Sequence, residues 1–125
     1  MHFSILTNIG IFCLALANKI GHPSVKILAE FASSVDVAQT QSYYSIYYLN
    51  LGLFQGGGNI WNDWNKQFRT FIVKQQNKDG SFMMMPDAVK WEEKLNLNYT
   101  TAMAVLSLEV YYRYLPIYQL VKKDK

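Results

Sequence analysis

Three stretches of this chain are apolar around the whole circumference of a helix, and two amphipathic stretches separate them. Residues 4–19 read SILTNIGIFCLALANK, with small residues at Gly10, Cys13, Ala15 and Ala17. Residues 42–55, SYYSIYYLNLGLFQ, break their apolar surface only at Ser42, Ser45, Asn50 and Gln55, and residues 99–114 carry Glu109 and Arg113 as their only charges. A helix that is apolar on every side has to be buried on every side. The low β-branched content of residues 42–55 favours a buried helix over a strand. Between these stretches, Val25, Leu28, Ala29 and Ala32 recur at helical spacing, with Lys26, Glu30 and Ser33 off the stripe. Residues 60–76 gather Trp61, Trp64, Phe68, Phe71 and Ile72 on one face and leave Asn62, Asp63, Lys66, Arg69 and Lys74 largely on the other. Each of these two helices has one face to cover something and one face for water.

The breaks fall where the periodicity changes. Gly21-His22-Pro23-Ser24 separates the first two helices, with Pro23 suited to a first helical turn and His22 to the entry. Residues 33–41 read as a loop, Gly56-Gly57-Gly58 as a tight break, and residues 83–98 as a longer connection. Asn98 or Thr100 is the expected cap of the last helix, and Pro116 its end. The same Asn98-Tyr99-Thr100 string fits a glycosylation sequon, a role secondary to capping. The order buried, amphipathic, buried, amphipathic, buried is that of an all-α array of α-α hairpins, with inner helices enclosed and outer helices half exposed. Residues 1–125 then form a single helical domain of about five helices. The first and last inner helices share a small-apolar-apolar-small-Leu string, Gly10-Ile11-Phe12-Cys13-Leu14 and Ala104-Val105-Leu106-Ser107-Leu108. Periodicity alone leaves open whether such an array closes into a ring or runs on as a solenoid.

Composition excludes several classes. Half of the 125 residues are hydrophobic, which is enough for a core and unlike a disordered chain. The net charge is +3, and much of the basic excess sits in the tail Lys122-Lys123-Asp124-Lys125. No basic stripe with interleaved aromatics marks a nucleic-acid surface. A lone Cys13 rules out an intrachain disulfide, and within an apolar helix it reads as a small buried hydrophobe. The N-terminal apolar run falls short of the about 20 residues of a membrane span. It ends in Ala15-Leu16-Ala17, which suits a signal peptidase, but no Lys or Arg precedes it, and Thr7 and Asn8 interrupt it. A buried domain helix in a cytoplasmic protein is the favoured reading, and a secreted protein of unrelated function follows if residues 1–17 are a leader.

The second amphipathic helix runs into Gln76-Asn77-Lys78-Asp79-Gly80-Ser81-Phe82, where Asp79-Gly80 is a turn pair. The Gln-x-x-x-Gly-x-aromatic spacing after an apolar helix resembles the QW repeat of terpenoid cyclases and protein prenyltransferase β-subunits. Tyr43-Tyr44-Ser45-Ile46-Tyr47-Tyr48, Phe54-Gln55-Gly56-Gly57, Trp61-Asn62-Asp63-Trp64-Asn65 and the run from Tyr99 to Pro116 are similar to bacterial prenyltransferase/squalene-oxidase-repeat proteins. The resemblance implies a partial (α/α) toroid, because a full ring needs more hairpins than this chain has. In that family the motif glutamine caps the start of a neighbouring helix and the aromatic stacks on it, roles the resemblance gives to Gln76 and Phe82. Phe82 stands where the family usually has Trp, so it keeps the stacking surface and loses the N–H donor.

The resemblance also sets which chemistry to look for. Squalene-type cyclases protonate an alkene with Asp-x-Asp-Asp, and class I terpene synthases hold magnesium with Asp-Asp-x-x-Asp. Here Asp36, Asp63, Asp79, Asp87 and Asp124 are isolated, and neighbouring Glu92 and Glu93 point about 100° apart on a helix. Cys13, His2 and His22 have no zinc-ligand spacing, and neither a Gly-x-Ser-x-Gly elbow nor a phosphate loop is present. No catalytic residue, metal ligand or cofactor is therefore assigned. The nine tyrosines remain: Tyr43, Tyr44, Tyr47 and Tyr48 crowd one helix, and Tyr111 and Tyr112 the last one. They are the residues for an aromatic-lined cavity that would take an apolar, isoprenoid-like ligand, or else they pack the core with hydroxyls at its rim. The expected function is a non-catalytic cyclase-like repeat domain for protein interaction or apolar ligand binding. The alternative is a fragment of an isoprenoid cyclase whose acid motif lies outside this chain. Two and a half hairpins leave both end helices without outer neighbours, so self-association or a partner completing the ring is expected.

Overall fold

The computed structural model describes residues 5–17, 21–40, 42–85, 88 and 90–113. The His2 side chain, Pro116 and the basic tail lie outside them, as do the side chains of Glu92, Glu93 and Tyr112. The chain is all-α. Five helices of twelve or more residues, α1 (Ile5–Leu16), α2 (Pro23–Ser34), α3 (Tyr43–Gly56), α4 (Gly58–Lys74) and α6 (Leu97–Arg113), are joined by a 3-10 turn at Val37–Thr40 and a single helical turn, α5 (Lys90–Glu93). Among the described residues there is no strand, only an isolated bridge between Gln76 and Phe82.

The helices form two layers. α3 packs between α1 and α6, while α2 lies on α1, α4 lies on α3, and α2 and α4 touch each other. Residue pairs give the directions. Asn8 meets Ser45 and Ile11 meets Gly52, so α1 and α3 run the same way; Asn50 meets Ser107 and Phe54 meets Tyr111, so α6 does too. Across the α3–α4 turn the pairs descend instead, Asn50 with Trp64 and Phe54 with Trp61, as in an antiparallel hairpin.

Local sequence explains the ends. His22 caps α2, its Nδ1 accepting the Ser24 N–H at 3.2 Å, with Pro23 next in line. Ser42 caps α3, its Oγ accepting from the Ser45 N–H. Gly57 is the one residue between α3 and α4, and at φ 63° it takes a conformation that L side chains avoid. The cap of α6 differs from the expectation. Asn96, not Asn98 or Thr100, accepts the N–H groups of Asn98 and Tyr99 at 3.1 and 3.3 Å. The helix therefore begins at Leu97, two residues earlier than the apolar pattern suggested.

The core is built around α3, where Tyr43, Ile46, Leu49, Leu51 and Leu53 are buried, and around the Trp61, Trp64, Phe68 and Ile72 stripe of α4. α2 covers it with Val25, Ala29 and Ala32. Gly52 lets α1 come close: a Cβ there would lie 2.7 Å from Ile11 Cγ2 and 3.1 Å from the Phe12 backbone nitrogen.

α1 corrects the sequence reading. Apolar all round, it was expected to be enclosed, yet only Asn8 and Ile11 are buried. Leu6 is 76% exposed, and Cys13, read as a buried hydrophobe, is exposed too. α6 shares this on a smaller scale, with Val105 41% exposed. α3 alone has inner-layer helices on both sides.

One polar network ties the two layers. The Trp64 Nε1–H donates to Asn50 Oδ1 at 2.6 Å, and Asn50 Nδ2 donates to the Ser107 carbonyl at 3.1 Å, with all three residues buried. Ser107 Oγ in turn donates to the Met103 carbonyl. Asn50→Ala orphans the indole N–H and leaves a small void, and is expected to destabilise the fold by about 2–4 kcal/mol. In urea unfolding the midpoint falls while the slope is unchanged. In the Trp64→Phe background, where the donor is gone, the same substitution is expected to cost measurably less.

Candidate functional site

The motif turn is a closed hydrogen-bonded unit. The Asn77 N–H donates to the Ser81 carbonyl at 2.7 Å and the Gly80 N–H to the Asn77 carbonyl at 3.0 Å. Asp79 Oδ1 accepts both the Ser81 N–H and the Ser81 hydroxyl, at 3.0 and 2.7 Å. Gly80 sits at φ 88°, open to glycine with little cost. Phe82 is buried, and its N–H donates to Thr101 Oγ1 at 3.0 Å, which pins the turn to the first turns of α6.

Gln76 does something other than the resemblance implied. Its Nε2 donates to the Gly80 carbonyl of its own turn at 3.3 Å, and the side chain is exposed. Among the described residues no neighbouring helix is capped by it. The tie to the next helix comes from the Phe82 backbone and Thr101 instead, a link invisible to a pattern of side-chain types.

The tyrosines divide. Tyr44, Tyr47 and Tyr48 form one aromatic face, with Tyr44–Tyr48 centroids 4.8 Å apart and Tyr47–Tyr48 5.3 Å. Phe12 of α1 joins at 5.9 Å from Tyr48, Trp91 of α5 at 5.9 Å from Tyr44, and Tyr99 of α6 at 6.1 Å from Trp91. Sequence reasoning missed these three. Trp91 lies in what read as a plain connection, and only its being a lone tryptophan between charged residues singles it out. Hydrogen bonding with Tyr44, then burial, pushes the Tyr48 phenol above its ordinary value. Gln55, on the same helical stripe as Tyr44 and Tyr48, has a buried Nε2 with no hydrogen bond.

Tyr43 and Tyr111 stand elsewhere. Tyr43 is a core residue whose hydroxyl donates to the Met83 carbonyl at 3.0 Å, and Tyr111 is half exposed beside Phe54 on the α4 side of α6. The side chain of Tyr112 lies outside the described residues.

Concavities border these elements. A cleft of about 410 Å3 lies between α1, α2 and the glycine turn, floored by Ile11, Val25, Ala29 and Leu53, with the exposed Lys26–Glu30 pair at its rim. A second, of about 420 Å3, runs between α4 and α6 past Trp61, Phe68 and Tyr111. A shallow groove of about 720 Å3 follows the outer flank of α6, between the Asp79–Ser81 turn and Ala102, Val105 and Leu106. Among the described residues no three His, Cys, Asp or Glu side chains come together as a metal site, and no helix is long and apolar enough to cross a membrane. Comparison with protein-family models, with curated proteins and with solved structures finds no match.

Two outcomes follow for the turn. Phe82→Ala removes a buried ring from the core cluster, and is expected to cost about 3 kcal/mol, read as a lowered Tm; an unchanged Tm would mean the turn is not anchored in the core. For Asp79, hydrogen bonds from Ser81 favour the carboxylate and hold its pKa below the usual range. A depressed folded pKa contributes stability above the unfolded value and loses it as pH falls through the folded one. The Asp79 carboxyl is therefore expected to titrate below about 3.9 by NMR, with the Ser81 amide proton shift following the same midpoint.

Proposed function

We propose that this chain is a non-catalytic α-hairpin module of the terpenoid-cyclase/prenyltransferase-like kind, and that it works by binding. The observation that carries the reading is the uncovered apolar surface at both ends of the α1–α3–α6 row. Leu6 of α1 is 76% exposed, Cys13 on the same stripe is exposed, and Val105 of α6 is 41% exposed. Surfaces of this kind mark contact sites, and here they lie where a longer array would place its next helices. The division into an inner row and an outer pair supports the partial-ring reading, and the isolated acidic residues support binding without chemistry.

A second reading rests on the aromatic face. Tyr44, Tyr48, Phe12 and Trp91 offer ring surface to an apolar, isoprenoid-like ligand. Placed beside an acid motif from another segment, the same face would serve an isoprenoid cyclase.

Incubating the purified chain with squalene or a prenyl diphosphate is expected to yield no cyclic product, because the sequence has no Asp-x-Asp-Asp or Asp-Asp-x-x-Asp run and no carboxylate cluster forms among the described residues. A cyclic product would overturn the non-catalytic reading. Protein diluted until it sediments as a monomer is expected to enhance the fluorescence of anilinonaphthalene sulfonate, and Leu6→Glu to reduce that enhancement. Monomeric protein that leaves the dye dark would mean that the flanks are closed.

A further inference from the structure

The inner row advances by the same kind of step at both of its internal contacts. Asn8 of α1 donates to Ser45 of α3, to Oγ at 2.7 Å and to the carbonyl at 3.3 Å. Asn50 of α3 donates to the Ser107 carbonyl of α6 at 3.1 Å. In both, an asparagine of the earlier helix reaches a serine of the later one, and the two helices run parallel.

Matching the strings Gly10–Leu14 and Ala104–Leu108 places Cys13 where Ser107 stands and Val105 where Ile11 stands. Ser107 is buried against the preceding helix of the row, and Ile11 against the following one at Gly52. At the free ends the matching positions are exposed: Cys13 on α1 and Val105 on α6. Each end of the row thus presents the half-contact that the other end lacks.

The two surfaces also suit each other in form. Leu6, Gly10 and Cys13 repeat at i, i+4 and i+7, one stripe on the side of α1 away from α3. No residue of α1 is charged, so burying this stripe desolvates no ion. The receiving groove on α6 has an apolar floor of Ala102, Val105 and Leu106 and a polar rim at Asp79, Ser81 and Asn98.

We infer that α1 of a second copy of this chain occupies the α6 groove, lying parallel to α6 so that the row continues as α1–α3–α6 and then α1 of the next copy. This names the partner for the binding reading above and rests on it. The two halves of the contact lie at different places on one chain, so the association is heterologous. It closes into a ring of copies or runs on as a filament, and it does not stop at a twofold dimer.

Because Cys13 is the only cysteine, V105C of the full chain tests the register directly. Mild oxidation at micromolar protein is expected to give a ladder of dimers, trimers and larger species that reductant collapses, with peptide mapping joining Cys13 to the introduced thiol. Unsubstituted protein should give no such ladder, and should sediment as an oligomer without oxidation. Leu6→Glu, at a site that packs on little in its own chain, should keep the helical circular dichroism and sediment as a monomer. An unsubstituted chain that sediments as a monomer, or a V105C chain that stays uncrosslinked, would overturn the inference. So would a Cys13–Cys13 dimer as the sole product. If the dye still binds in any of these cases, the flanks accept some other partner and only the second copy is excluded.

Discussion

A buried asparagine holds the two layers of this protein in one arrangement. Asn50 uses its amide oxygen for the Trp64 indole and its amide nitrogen for the Ser107 carbonyl, so α3, α4 and α6 meet at one side chain. Apolar contacts supply most of the burial, but they are tolerant of small slides and rotations. A hydrogen bond inside a core is not, since a misplaced helix would leave an indole N–H or an amide unpaired at a cost of about 1–3 kcal/mol each. The pairing therefore selects one register among the many that leucines and tyrosines would accept. Gly52 performs the complementary service for α1, where the lack of a Cβ sets how closely Ile11 and Phe12 approach.

Much of this was legible in the sequence. The five long helices, the exposed face of α4, the enclosure of α3 and the entry of α2 at His22-Pro23 follow from periodicity and from residue types with known preferences. α1 was not legible, because apolarity reports what a helix would bury and not whether another surface is there to bury it. Ile11 and Cys13 belong to the same apolar string, yet Ile11 faces α3 and Cys13 faces outward. The cap at Asn96 was missed for a related reason: Asn96, Asn98 and Thr100 stand at alternate positions of one short stretch, and each of the three could cap.

The candidate site was read in outline only. The crowding of tyrosines located the α3 part of the aromatic face, but tyrosines a few positions apart on one helix point in different directions. Tyr43 therefore went into the core while Tyr44 and Tyr48 met Phe12 and Trp91. Gln76 shows the limit of a short pattern. Its spacing to Gly80 and Phe82 is kept by the turn itself, through the Gln76–Gly80 hydrogen bond and the Gln76–Phe82 bridge, with no need for a capped neighbour.

The single residue between α3 and α4 works as the pivot of a folding ruler. Asn50 lies seven residues before Gly57 and Trp64 seven residues after it, so each arm is about 10.5 Å long. Equal arms are what bring the amide and the indole level with each other. Lengthening the turn by one residue would lift one arm by about 1.5 Å and rotate it by about 100°, carrying Trp64 off the mark. Surface connections elsewhere in a protein usually absorb insertions; this one measures a distance, and its length is as much a part of the core as the side chains it aligns.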